Sequence, residues 1–241
     1  MASIIDAIEE TLHDEHSLAK FIIYAIPVLG TYALFYVGNM GWFYFLGFLT
    51  ALMLLTILIK TINNVRNSKN HVLPTFNVFT FAYSSIKAIF AVLPVSGLCI
   101  WAGIKLAGIQ IPIALPYIQT IYATIVWLLL GSIMITSLII YSKNEKISDA
   151  YNFNLIQRTC VDILFALIGF VPQIILFNAL IIGIVVYLFK VFNISYDNPI
   201  LVIVVAFSLI ISIPISGNYF AQIDWEQITR EEEHKDQDSA Y

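Results

Sequence analysis

Two stretches of this chain, Thr75 to about Ile109 and Phe153 to about Phe192, are each thirty-odd residues long and mostly apolar. At about 1.5 Å per residue, each exceeds what one straight crossing of a ~30 Å hydrocarbon core requires. A proline stands at the same relative place in both, Pro94 in the first and Pro172 in the second. Proline removes one helical hydrogen bond and clashes with the preceding turn. The expectation is therefore a shallow, oblique half-helix, a break, and then a true crossing, twice over.

The remaining apolar residues also fall in runs of about twenty, the length that spans a bilayer. Hydrophobic residues make up 59% of the chain and charged residues 12%, against roughly a quarter charged in a soluble domain. The expected fold class is an all-α integral membrane protein with six transmembrane helices, short loops and no separate soluble domain. Besides the two long segments, crossings are expected at about Leu18–Tyr36, Trp42–Ile59, Tyr117–Tyr141 and Ile200–Ile215. Uncharged VGNMG (residues 37–41), a turn around Gln110–Pro116 and NISYDNP (193–199) join crossings on one side. The polar loops Lys60–Leu73 and Ser142–Asn152 lie on the other. Residues 3–12 place Ile4, Ile5, Ile8 and Leu12 on one helical face, which reads as a short amphipathic helix on the membrane surface or against the bundle.

Charge is partitioned along the chain. The N-terminal tail, residues 1–17, holds five acids and no Lys or Arg, the opposite of a secretory n-region. The first crossing is thus read as an uncleaved insertion signal. The C-terminal tail, residues 217–241, holds seven more acids, and the membrane domain between the tails, residues 18–216, carries ten bases against four acids. With six crossings, both termini share a side with Lys20, Lys60, Arg66, Lys69, Lys143, Lys146 and Arg158, whereas Lys105 and Lys190 fall opposite. The positive-inside rule places that basic side, and both tails, in the cytoplasm.

A shift of 78 residues superposes Pro94 on Pro172 without a gap back to Thr75 and Phe153. The repeating pattern is a crossing, a basic loop, an oblique half-helix, a proline and a crossing, in units of about 42–109 and 117–192. Because the unit holds an even number of crossings, the copies are expected to be parallel, related by an axis along the membrane normal.

Polar residues enter the long segments in narrow stripes. Asn77, Thr80, Ser84 and Lys87 share one helical face, as do Asn154, Arg158 and Asp162. Two readings remain open. Either the stripes lie at the interface facing headgroups and water, or they face each other across the pseudo-axis and line a cleft with Lys87 and Asp162 as partners. A charge at the bilayer centre costs about 2.5–3.5 kcal/mol on insertion scales, which favours shallow placement. Lysine at that depth can snorkel.

Motifs for chemistry are sparse. The chain has no HExxH, GxSxG or phosphate-binding loop. Cys99 and Cys160 read as buried hydrophobes, and His13 and His16 as solvated surface residues rather than metal ligands. No cofactor, metal or nucleic-acid partner is expected.

Three runs, HDEHSLAK (13–20), HVLPTFN (71–77) and EKISDAYNFNLIQR (145–158), resemble an uncharacterised prokaryotic membrane family catalogued as domain of unknown function 4013. The resemblance covers most of the chain up to about Thr229. It implies a polytopic bundle in a bacterial or archaeal membrane, and carries over neither an activity nor functional residues. The functional expectation is a non-enzymatic scaffold or partner subunit in contact with membrane lipids, its acidic tails docking a protein partner. A small transporter or channel component and a lipid-handling protein are the alternatives. Oligomeric state is left open.

Overall fold

In a computed structural model the described residues are 3–110, 117–195 and 199–223. They form seven α-helices, with no strand among them: α1 (Ile4–Leu12), α2 (Ser17–Tyr36), α3 (Met40–Arg66), α4 (Val78–Ala107), α5 (Ile118–Asn144), α6 (Phe153–Val191) and α7 (Pro199–Ala221). A single 3-10 turn, Asp149–Tyr151, precedes α6. All but α1 are long and apolar enough to cross a membrane. The protein is an all-α, polytopic integral membrane protein.

Two expectations about these helices need correction. First, neither long segment breaks. α4 runs unbroken through Pro94 and α6 runs 39 residues through Pro172. Each proline deletes only its own N–H, and in lipid no water competes for the backbone groups around it, so the rest of the ladder persists. Second, α3 continues past Ile59 to Arg66, which shortens the following polar loop to residues 67–77. Lys60 and Arg66 are good helix formers, and a helix leaving the bilayer has no reason to stop where hydropathy does.

What does stop α3 is a Schellman turn. Ser68 takes a left-handed φ of 49°, its N–H donates to Val65 O at 3.1 Å, and Lys69 N–H donates to Asn64 O at 2.9 Å. The same device ends α2 at Gly38, where φ is 78° and glycine bears no Cβ penalty. Of the turns expected from sequence, residues 111–116 and 196–198 lie outside the described residues, as does the acidic tail from 224 onward.

The chain divides into two compact units. One comprises Ser3–Ser85 and Phe170–Ala221. In it α2, α3 and α7 pack on one another around Phe21, Tyr24, Ala25, Met53, Ile57 and Ile210. α1 packs on the end of α7 through Ala7 and Thr11, both buried, while Ile5 and Leu12 stay exposed. The docked face is thus the small one, and of the apolar face foreseen in the sequence Ile4 and Ile8 are half-buried while Ile5 and Leu12 are turned away from the bundle. Asn218, fully buried on α7, donates through Nδ2 to Ala7 O (3.3 Å) and Glu10 Oε2 (2.9 Å).

The other unit is built on Ile86–Gly169. Gln119 Nε2 donates to Ala107 O (3.1 Å) and Ile109 O (2.9 Å), tying the start of α5 to the end of α4. Ser137 Oγ donates to Ala150 O (2.9 Å), and the Tyr151 hydroxyl donates to Phe90 O. These bonds hold the 3-10 turn against α5 and α4.

In both units the distribution of residues is that of a protein solvated by lipid. Large apolar side chains such as Phe45, Phe48, Phe90, Phe165, Ile184 and Tyr187 are exposed. The buried positions include Thr50, Thr56, Ser85, Ser132, Thr136, Ser208 and Ser212. Lipid tails are as apolar as leucine, so helices associate through close packing of small residues and interhelical hydrogen bonds. Gly217 is one such close approach: a Cβ there would stand 3.1 Å from Leu58 O and 3.1 Å from Thr61 Cβ on α3. We expect Gly217→Val to lower stability by about 1–3 kcal/mol through overpacking. Gly183→Ala, whose added Cβ meets nothing within 4 Å, is expected to be neutral or slightly stabilising. Thermal unfolding of the two variants in detergent separates the cases, and equal behaviour would contradict the α3–α7 packing.

Candidate functional site

A densely hydrogen-bonded region lies between α3 and α4, where the chain is irregular yet buried. Leu73 is fully buried and Pro74 nearly so. Backbone N–H and C=O groups in such a segment must find partners inside the protein. Every one from Val72 to Pro74 does so, and every partner is a side chain from elsewhere. Asp14 Oδ1 accepts from Val72 N–H and its Oδ2 from Leu73 N–H, both at 3.1 Å. Asn64 Nδ2 donates to Val72 O at 3.3 Å. Lys20 Nζ donates to Leu73 O at 3.2 Å, and the Tyr24 hydroxyl donates to Pro74 O. Pro74 has no N–H to satisfy.

The charges of this latch are matched within it. Lys20 Nζ lies 2.6 Å from Asp14 Oδ2, with side chains 11% and 3% exposed. The positions follow from local structure: Asp14 sits in the turn between α1 and α2, and Lys20 and Tyr24 sit four residues apart on α2, on one face. His71 stands beside the latch, its Nδ1 3.7 Å from Asp14 Oδ1 and its Nε2 3.6 Å from Glu15 Oε2. The latch therefore joins two of the three sequence runs singled out above, residues 13–20 and 71–77.

The striped residues fall out differently. Asn77 caps α4, its Oδ1 accepting from Phe79 N–H (3.1 Å) and Thr80 N–H (3.3 Å). Thr80 is exposed and Ser84 buried. The buried interhelical bond is made by the neighbouring Ser85, whose Oγ lies 2.7 Å from Thr56 Oγ1 on α3 and donates to Phe81 O at 2.7 Å. In the other unit Lys87 and Asp162 are half-buried, whereas Asn154 and Arg158 are exposed.

Sequence reasoning passed over three polar sites. Asp14 reads as one of several tail acids, because its partners lie 58 and 59 residues away. Asn178 on α6 bonds two serines of α7: its Nδ2 lies 2.8 Å from Ser212 Oγ, and its Oδ1 accepts from Ser208 Oγ. Thr31 on α2 and Thr50 on α3 lie 3.1 Å apart and both donate to Pro27 O. An i, i+4 series of serines such as Ser208, Ser212 and Ser216 is the one local signal that marks such a seam.

No family model matches the chain, and searches of curated proteins and of solved structures also return no match.

Breaking a buried charge pair by removing one partner costs about 3–5 kcal/mol, because the other charge is left buried. Asp14→Ala is expected to lose stability in that range, and Tyr24→Phe only about 0.5–1.5 kcal/mol. In a Lys20→Met background Asp14→Ala is expected to cost less, since the stranded ammonium is gone. Unfolding of the three single variants and the double mutant by denaturant in micelles checks this. Additive losses would refute the latch.

Proposed function

We propose that the chain is a non-enzymatic scaffold or partner subunit of a prokaryotic cytoplasmic membrane, with both termini in the cytoplasm and the acidic tails as docking elements. The observation that carries this reading is the engagement of intramembrane polar groups in helix-to-helix bonds. Asn178 with Ser208 and Ser212, Thr56 with Ser85, and Thr31 with Thr50 all hold one helix against another. Groups used this way make a rigid platform. The charge partition of the sequence supports the orientation. The resemblance of three short runs to the family of unknown function 4013 supports the prokaryotic setting.

A small transporter is the second reading. Half-buried Lys87 and Asp162 in a mostly apolar bundle favour it. The experiment that separates the two is affinity purification in mild detergent, with the full chain and with residues 226–241 deleted. A stoichiometric partner that is lost on deletion is the expected result for a subunit. A chain that purifies alone, together with a flux abolished by Asp162→Asn and restored by exchanging the charges of Lys87 and Asp162, would replace the scaffold with a transporter.

A further inference from the structure

Within the unit that contains Phe170–Ala221, α6 carries two amide side chains five residues apart, and their surroundings differ. Asn178 bonds Ser208 and Ser212 of α7. Gln173 is exposed and has no hydrogen-bond partner among the described residues. Its depth makes that costly. Ser208 and Ser212 flank the middle of α7 (Pro199–Ala221), so Asn178 marks the middle of the span. Gln173 stands about 7.5 Å from it toward the start of α6. Half of a ~30 Å hydrocarbon core is about 15 Å, so the carboxamide lies inside the core. Lipid tails offer no hydrogen bonds, and the group's two N–H donors and its carbonyl are all left unmet there. Pro172 adds to the deficit, because Ile168 O loses its helical donor and no side chain among the described residues replaces it. At Pro94 the corresponding carbonyl, Phe90 O, accepts from the Tyr151 hydroxyl.

The exposed face continues along the helix. Leu176, Leu180, Gly183 and Tyr187 follow Gln173 at alternating steps of three and four, and all are exposed. At about 100° per residue this seam lies opposite Asn178, on the side turned away from α7. An apolar face by itself is ordinary lipid contact, but a carboxamide in its line is not. We infer that this face of α6 binds the same face of a second copy of the chain. Copies of one sequence insert in one orientation, so a two-fold axis along the membrane normal brings Gln173 to Gln173 at equal depth. A carboxamide is its own complement, since it donates through N–H and accepts at C=O. A different polypeptide has to supply a polar group at the matching depth, whereas a second copy does so by construction. Gly183, where a Cβ would meet nothing within 4 Å of its own chain, lets the two backbones approach closely. One polar residue in an apolar seam also fixes the register of the pair. The inference does not rest on the scaffold reading, which concerns the acidic tails.

The test is single-molecule photobleaching of the fluorescently labelled, full-length protein in phosphatidylcholine–phosphatidylglycerol liposomes over a range of protein-to-lipid ratios. Wild type is expected to pass from monomer to dimer as the ratio rises. Gln173→Leu is expected to weaken association about tenfold, and Gln173→Asn, which keeps the carboxamide, by about threefold or less. Gly183→Leu is expected to weaken it about tenfold by holding the backbones apart. Both leucine variants place their side chains at open positions and are expected to keep the wild-type unfolding temperature at dilutions where every variant is monomeric, which guards against a folding defect. Ile175→Phe, at an exposed position off the seam, and deletion of residues 226–241 are each expected to leave association within about twofold. The deletion separates this inference from the scaffold reading, whose partner is lost with the tail. Wild type that stays monomeric at every ratio would overturn the inference, as would Gln173→Leu that associates as wild type does. A chain that purifies bound through Gln173 to a different polypeptide, and not to itself, would overturn it too.

Discussion

A buried backbone without regular structure has to be satisfied group by group, and the segment Val72–Pro74 imposes that requirement on its surroundings. Its polar atoms are met by Asp14 from the α1–α2 turn, Lys20 and Tyr24 from α2, and Asn64 from α3. Helical backbone satisfies itself within one segment, so membrane helices alone place few demands on distant residues. An irregular stretch does the reverse and fixes several elements at once. The turn after α1, one face of α2 and the end of α3 are tied together through it.

Within the helices the organising force is different. No gain in apolar burial draws one lipid-solvated helix to another, so contact depends on closeness and on hydrogen bonds. Gly217 against Leu58 and Thr61 supplies the first, and the serine and threonine seams supply the second. Pro27 fits the same scheme, because its carbonyl accepts from a threonine on each of two helices. Pro94 and Pro172 are absorbed without interrupting their helices.

Helix positions were legible in the sequence because hydropathy and length are local properties. α2, α4, α5 and α6 begin and end within a few residues of where the apolar runs do. The end of α3 was not legible, since helix continues through Lys60–Arg66 into the polar region and stops only at the left-handed Ser68. The proline breaks were misjudged by carrying the rule for water-exposed helices into a medium where freed backbone groups have nowhere else to go. Most of the candidate site was out of reach for another reason. Asp14 and Leu73 are both visible as residues, but a carboxylate accepting from a loop 59 positions away is a fact of tertiary structure. Of the stripe residues, Asn77 is a cap, and the interhelical bond falls to Ser85, one step round the helix from Ser84.

The unit formed by Ser3–Ser85 and Phe170–Ala221 joins the beginning of the chain to its last described helix. During synthesis α1, α2 and α3 emerge long before α7, so the carbonyl of Ala7 and the face of α3 around Leu58 wait for Asn218 and Gly217. Completion of that unit therefore waits for α7. Until α7 arrives, α1 and the face of α3 around Leu58 lack the packing partner they have in the completed unit.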